Sequence, residues 1–191
     1  HPYTYRLADF LETSKVILVE ANPRLHYCLS VGWDEGDFQG TWPVVPQKPH
    51  QHPPVTGPNL EIINAAIVED KTTDIVTFYE VNASSFLAGV KSPAVQNDGF
   101  EETLDKRRYT VPAMTIDQID DGQVDVLLSD TEGCEWFCLK HLKSRPKLIV
   151  LELWGQRYTN PHFDKIAVWM NENRYGFAGR DETDGVFVRI D

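Results

Sequence analysis

Val124 to Glu135 runs VDVLLSDTEGCE, and the way this stretch folds decides the architecture of the chain. Val124, Val126, Leu127 and Leu128 form a short apolar run between polar residues, which predicts a strand buried on both faces of a sheet. Ser129, Asp130 and Thr131 end the run. From Cys134 to Lys143, the residues Cys134, Phe137, Cys138 and Leu142 return at helical spacing with basic residues towards the end, so Glu132, Gly133 and Glu135 open a helix. In open α/β sheets, ligands bind in the crevice beyond the carboxyl ends of the strands, which makes Asp130, Glu132 and Glu135 candidates for chemistry.

Downstream, Lys147 to Leu153 (KLIVLEL) predicts a second buried strand. Glu152 lies inside it, and a carboxylate there is costly unless it is paired or lines a site. Phe163 to Glu172 carries Phe163, Ile166, Ala167 and Met170 on one helical face. Arg174 to Ala178 and Gly185 to Ile190 predict a terminal antiparallel pair joined by the polar turn GRDETD.

Upstream, Thr115 to Ile119 predicts a short helix stopped at Gly122. Asp74 to Glu80 and Arg107 to Ala113 have strand composition, and the Ser- and Gly-bearing stretch from Asn82 to Gly99 between them predicts a loop. Leu60 to Val68 predicts one strand ending at Asn64-Ala65-Ala66, where small side chains either let a flat ring lie against the backbone or allow tight packing. The segment from Trp33 to Pro58 is dense in proline and glycine and predicts a long loop, in which Trp33, Phe38 and Trp42 could cover a ligand. Its His50 and His52 have no third ligand at fixed spacing and are read as solvated. Val16 to Val19 predicts a strand that ends at Glu20. Asn22-Pro23 then starts a helix that Gly32 closes, and Tyr5 to Glu12 predicts an earlier helix. A strand-end carboxylate such as Glu20 either grips a nucleotide ribose through both hydroxyls or is a solvated surface group.

The 191 residues are 41% hydrophobic and 25% charged, enough for one well-buried core, so a single domain is expected. A net charge of −11 and a pI near 4.9 lack the basic footprint of nucleic-acid binding. No apolar run approaches the roughly 20 residues of a membrane helix, and the opening HPYTYRLADF has no signal-peptide pattern, so neither membrane nor secretion is expected. Three cysteines, two of them on one predicted helix, give no disulfide framework and fit a reducing cytoplasm.

SDTEGCE at Ser129 to Glu135 resembles the K-x-D-x-E-G-x-E signature of the FkbM-type methyltransferases. ILVEANP (17–23), NLEIINAAI (59–67), NASSFL (82–87), VPAMTIDQI (111–119) and KLIVLEL (147–153) follow in the order that family uses, so the resemblance covers most of the chain from Val16 onward. Ser129 stands where the family usually has lysine, and the glycine-rich cofactor loop has no counterpart. The resemblance implies an α/β fold, the three-layer Rossmann-like sheet of class I methyltransferases, mainly parallel with a C-terminal antiparallel strand pair, lacking its first strand and glycine loop. The expectation is that the sequence starts inside the domain, with 33–58 as an insertion loop.

The resemblance further implies S-adenosylmethionine as cofactor and a small-molecule or sugar hydroxyl as acceptor, with a homo-oligomer left open. It assigns Glu20, Asn22, Ala65, Ala66 and Asp130 to the cofactor. Asp130, Glu132 and Glu135 carry the chemistry, Glu132 or Glu135 serving as general base or as structural cap. Ser84 and Ser85 resemble a serine pair near the family's active site. No metal is expected: Cys134, Cys138 and His141 share a predicted helix face, but core packing explains them better than zinc. Two other classes compete with this reading. An N-terminal histidine chelates copper in secreted oxidases, but strand and helix alternation does not suit their β-sandwich. A methyltransferase-like interaction domain without catalysis is the alternative, argued by the missing loop.

Overall fold

The structure is a computed structural model that describes residues 14–32, 54–81, 84–93 and 108–190. The predicted helix at 5–12 and the aromatic and histidine residues of the 33–53 segment lie outside the described residues. The chain divides into two compact units, His1–Ala66 and Ile67–Asp191.

In the first unit the β-branched run Val16–Val19 forms β1, paired in parallel with β2, Leu60–Ile63, from Val16 opposite Leu60 to Val19 opposite Ile63. Helix α1, Pro23–Val31, follows β1 as its signals require. Asn22 Oδ1 accepts the backbone N–H groups of Arg24 and Leu25, proline takes the first turn where no N–H is needed, and Gly32 ends the helix at φ 88°. The expected single strand from Leu60 to Val68 is broken. Asn64 turns its side-chain amide back to the carbonyls of Glu20 and Ala21, at 2.8 and 3.2 Å, and the chain resumes as β3, Ala66–Ile67.

The second unit holds two sheets. One has the order β3-β6-β4-β5, with β4 (Ile75–Val81) antiparallel to both β5 (Ser84–Leu87) and β6 (Arg108–Met114). The sequence predicted a loop where β5 lies: its serines lack strand character, and the pairing with β4 supplies it. The other has the order β7-β8-β10-β9, from Val126–Ser129, Leu148–Glu152, Asp184–Arg189 and Tyr175–Asp181. β7 and β8 are parallel, and β10 is antiparallel to both β8 and β9. A 3-10 turn, Ile116–Gln118, stands where the short helix was expected.

Helices α2 (Glu135–Lys140) and α3 (Phe163–Glu172) share a core with the sheet residues Ile149, Leu151 and Phe187, through Phe137, Leu139, Ile166 and Met170. The opposite face is different. Val126 and Leu128 are 50% and 56% exposed and Val188 is 40% exposed, which corrects the expectation that β7 is buried on both faces. An apolar run alone does not reveal whether both of its faces find cover. The α/β class holds, but the sheets are mixed: of the pairings with a described register, two are parallel and four antiparallel. No helix among the described residues is long and apolar enough to cross a membrane.

Candidate active site

The parallel register of β7 and β8 ends at Ser129 opposite Leu151, so the next residues along, Asp130 and Glu152, stand side by side at the carboxyl ends of the two strands. On the other side of β8, Asp184 is the cross-strand partner of Glu152. Three neighbouring strands thus bring three carboxyl groups to one end of the sheet. Asp130 is not buried as expected, since part of it reaches solvent where the β7 face is open. The protein around it nonetheless strips water from the carboxyl, and with the Asp184 charge beside it the pKa is raised.

Glu152 feels the crowding most. Burial, then the charges of Asp130, Glu132, Glu135 and Asp184, push its pKa up to about 9, so it keeps its proton at neutral pH. Its Oε2 is buried and has no hydrogen-bond partner among the described residues.

The turn from β7 into α2 is built around Glu135, which is fully buried. Its Oε1 accepts the Thr131 backbone N–H at 2.8 Å, the Thr131 hydroxyl at 3.0 Å and the Gly133 N–H at 3.4 Å, and its Oε2 accepts the Asn160 side-chain amide. Burial raises its pKa and these donors oppose the rise. Both oxygens are engaged within the protein. The turn needs its glycine twice over. Gly133 has φ 104°, and a Cβ there would stand 2.7 Å from the Lys91 carbonyl oxygen. Glu132 precedes it at φ 55°, half-buried, adding its charge to the field on Glu152.

The segment after β8 folds back through a bridge between Trp154 and Thr159 and a hydrogen bond from Gly155 N–H to the Tyr158 carbonyl at 2.9 Å. This return lays Tyr158, 2% exposed, over the turn: its hydroxyl lies 3.4 Å from the point a Cβ on Gly133 would occupy. Burial, with the charges of Glu135, Glu152 and Glu132, holds the phenol far above its ordinary pKa. The hydroxyl has no hydrogen-bond partner among the described residues. Sequence reading missed Tyr158, Asn160 and Asp184 as site residues. Each lies in a polar segment that only tertiary folding brings to the strand ends, although Asp184 closes the predicted turn GRDETD.

In the first unit, Glu20 stands just past β1, and its Oε1 accepts the Asn22 N–H at 2.7 Å. Asn22 commits its Oδ1 to the start of α1. Ala65 and Ala66 are each 1% exposed. The thiols of Cys134 and Cys138 are buried in the second unit's core, burial pushing Cys138 up to about 12, while His141 turns instead to the Asp70 carboxylate at 3.0 Å. Among the described residues no group of three or more His, Cys, Asp or Glu could hold a metal ion.

A family model described as the Methyltransferase FkbM domain matches residues 4–177. No curated protein and no solved structure matches this chain.

Proposed function

The chain belongs to the FkbM methyltransferase family, and from that membership we propose that it transfers a methyl group from S-adenosylmethionine to a hydroxyl of a small molecule or sugar. The observation that carries this reading is the group of carboxyls, Asp130, Glu152 and Asp184, at the carboxyl ends of β7, β8's neighbour, and of β8 itself, with β10 alongside. A cluster of acidic groups at such strand ends suits a positively charged nucleotide ligand. When bound, that cofactor supplies a methyl group activated on a sulfonium centre.

The chain's own residues take the remaining roles. Asp130 faces the methionine part of the cofactor or the acceptor, and Glu132 is the candidate base for the acceptor's proton. Glu135 holds the turn that carries both. Glu20 grips the ribose, Asn22 fixes the turn after Glu20, and the backbone at Ala65 and Ala66 offers a flat surface to the base. The family match runs through both units, which supports one methyltransferase-like domain of the three-layer class I kind. The net charge of −11 argues against nucleic acid as acceptor, and three free, buried cysteines fit a reducing compartment such as the cytoplasm.

Calorimetric titration of the full chain with S-adenosylmethionine tests the reading. Saturable binding is the expected result. Its absence would turn the reading to the non-catalytic interaction domain.

A further inference from the structure

Val68 just past β3, Val76 of β4, Leu87 of β5, Ala113 of β6 and Phe137 of α2 line a cavity of about 200 Å³ inside the second unit. Its walls come from the β3-β6-β4-β5 sheet and one helix, and the carboxyls of Asp130, Glu152 and Asp184 are not among them. Strand positions usually carry branched or aromatic side chains. Ala113, 2% exposed, brings only a methyl group, and that leaves the room. Water gains little there, because a bound water needs roughly two to four polar partners. An apolar cavity of about 150 Å³ holds benzene, so one of about 200 Å³ takes a single six-membered ring with a small substituent.

The mouth of the cavity is polar. Asp70, Thr72 and Thr73 line it and are exposed. Glu69 stands beside them with one oxygen committed: Oε1 accepts the Trp136 indole N–H at 3.0 Å and Lys165 Nζ at 3.4 Å, with Lys140 Nζ at 3.6 Å. Its Oε2 takes no hydrogen bond among the described residues. Burial works to raise the pKa of Glu69, but the Trp136 bond and the two lysines bring it below the ordinary value, so the group is an ionised acceptor. The same lysines balance the charges of Glu69 and Asp70, which leaves no net field that calls for a charged ligand. An apolar ring with one donor at its edge meets both the walls and the mouth.

We infer that this cavity binds a neutral single-ring molecule, its apolar body against Val76, Leu87, Ala113 and Phe137 and its one hydroxyl or N–H donated to Glu69. The site does not depend on the methyltransferase reading, and its test does not bear on that reading.

Phenol and fluorobenzene are the probes, nearly equal in size, and only phenol has a donor. Titrated into the isotope-labelled full chain and followed by amide chemical shifts, phenol is expected to move Val76, Ala113 and Phe137 saturably with a Kd of about 1 mM or tighter. Fluorobenzene should bind at the same place about tenfold more weakly, because it leaves the carboxylate without a donor. Glu69→Gln should narrow that difference to about threefold or less. Ala113→Leu fills the cavity and should abolish the shifts from both rings. On the wild-type chain, excess fluorobenzene should displace phenol, a measurement that needs no variant to fold. The absence of saturable shifts at those three residues, equal affinity for the two rings, a failure to compete, or undiminished binding by a folded Ala113→Leu chain overturns the inference.

Discussion

Both carboxylate oxygens of Glu135 are taken up inside the protein, whereas its neighbour Asp130 still reaches solvent at the strand end. Substitution should separate the two. Glu135→Ala leaves the Thr131 and Gly133 N–H groups and the Asn160 amide without their acceptor, and should lower stability by about 2 to 4 kcal/mol in urea denaturation. Asp130→Asn keeps shape and capping capacity while removing charge. It should cut turnover strongly with little change in melting temperature, and near-normal turnover would leave Asp130 as a cap. Gly133→Ala meets both a left-handed backbone and the Lys91 carbonyl, so about 2 kcal/mol or more of destabilisation is expected in the same urea series. All three residues were legible in SDTEGCE because the turn is local. Tyr158 and Asp184 were not, since nothing in their own segments says that folding carries them to Gly133 and Glu152.

Among the elements, the ends of β8 and β10 set the dependence on pH. Glu152 has an ordinary pKa of about 4.3 when unfolded and about 9 in the folded protein, among Asp130, Glu132, Glu135 and Asp184. The folded state therefore holds this proton more tightly. Its contribution is complete below the unfolded value and is lost as pH rises towards the folded one. Melting temperature should fall as pH is raised from neutral towards about 9, and Glu152→Gln should flatten that fall. The acid side belongs to Asp120. Burial works to raise its pKa, but hydrogen bonds from the Ser144 hydroxyl and N–H, Gly122 N–H and Lys143 N–H bring it below the usual carboxylate range. That stability is present above the unfolded value and is lost as pH falls through the folded one, so Asp120→Asn should weaken the acid dependence measured by the same melts. Elements with local signals matched the structure: α1 from Asn22-Pro23 to Gly32, β1, β4, β6, β8 and α3. The failures had tertiary causes. Asn64 splits one expected strand by bonding back to the β1 end, and β5 exists because β4 offers it an edge.

For the molecule as a whole, a net charge of −11 sets the balance of long-range forces. Self-repulsion opposes compactness and is screened by salt over about 10 Å at 0.1 M. Adding sodium chloride up to roughly 0.2 M should therefore raise the melting temperature, and a fall would mean that local ion pairs such as Lys140 with Asp70 outweigh the repulsion. Alternating strands and helices made the α/β class legible from the sequence. The mixed sheets were not, because an apolar run such as Val126 to Leu128 specifies neither the direction of its neighbour nor how many neighbours it has. Among the described residues β7 is the terminal strand of its sheet, with β8 on one side, and it exposes two aliphatic side chains. A strand left in that state is a template for further pairing. At the concentrations reached during overexpression, β7 is thus where copies of the chain would join edge to edge into insoluble material, and a lysine at position 126 or 128 is the gatekeeper that would keep preparations clear.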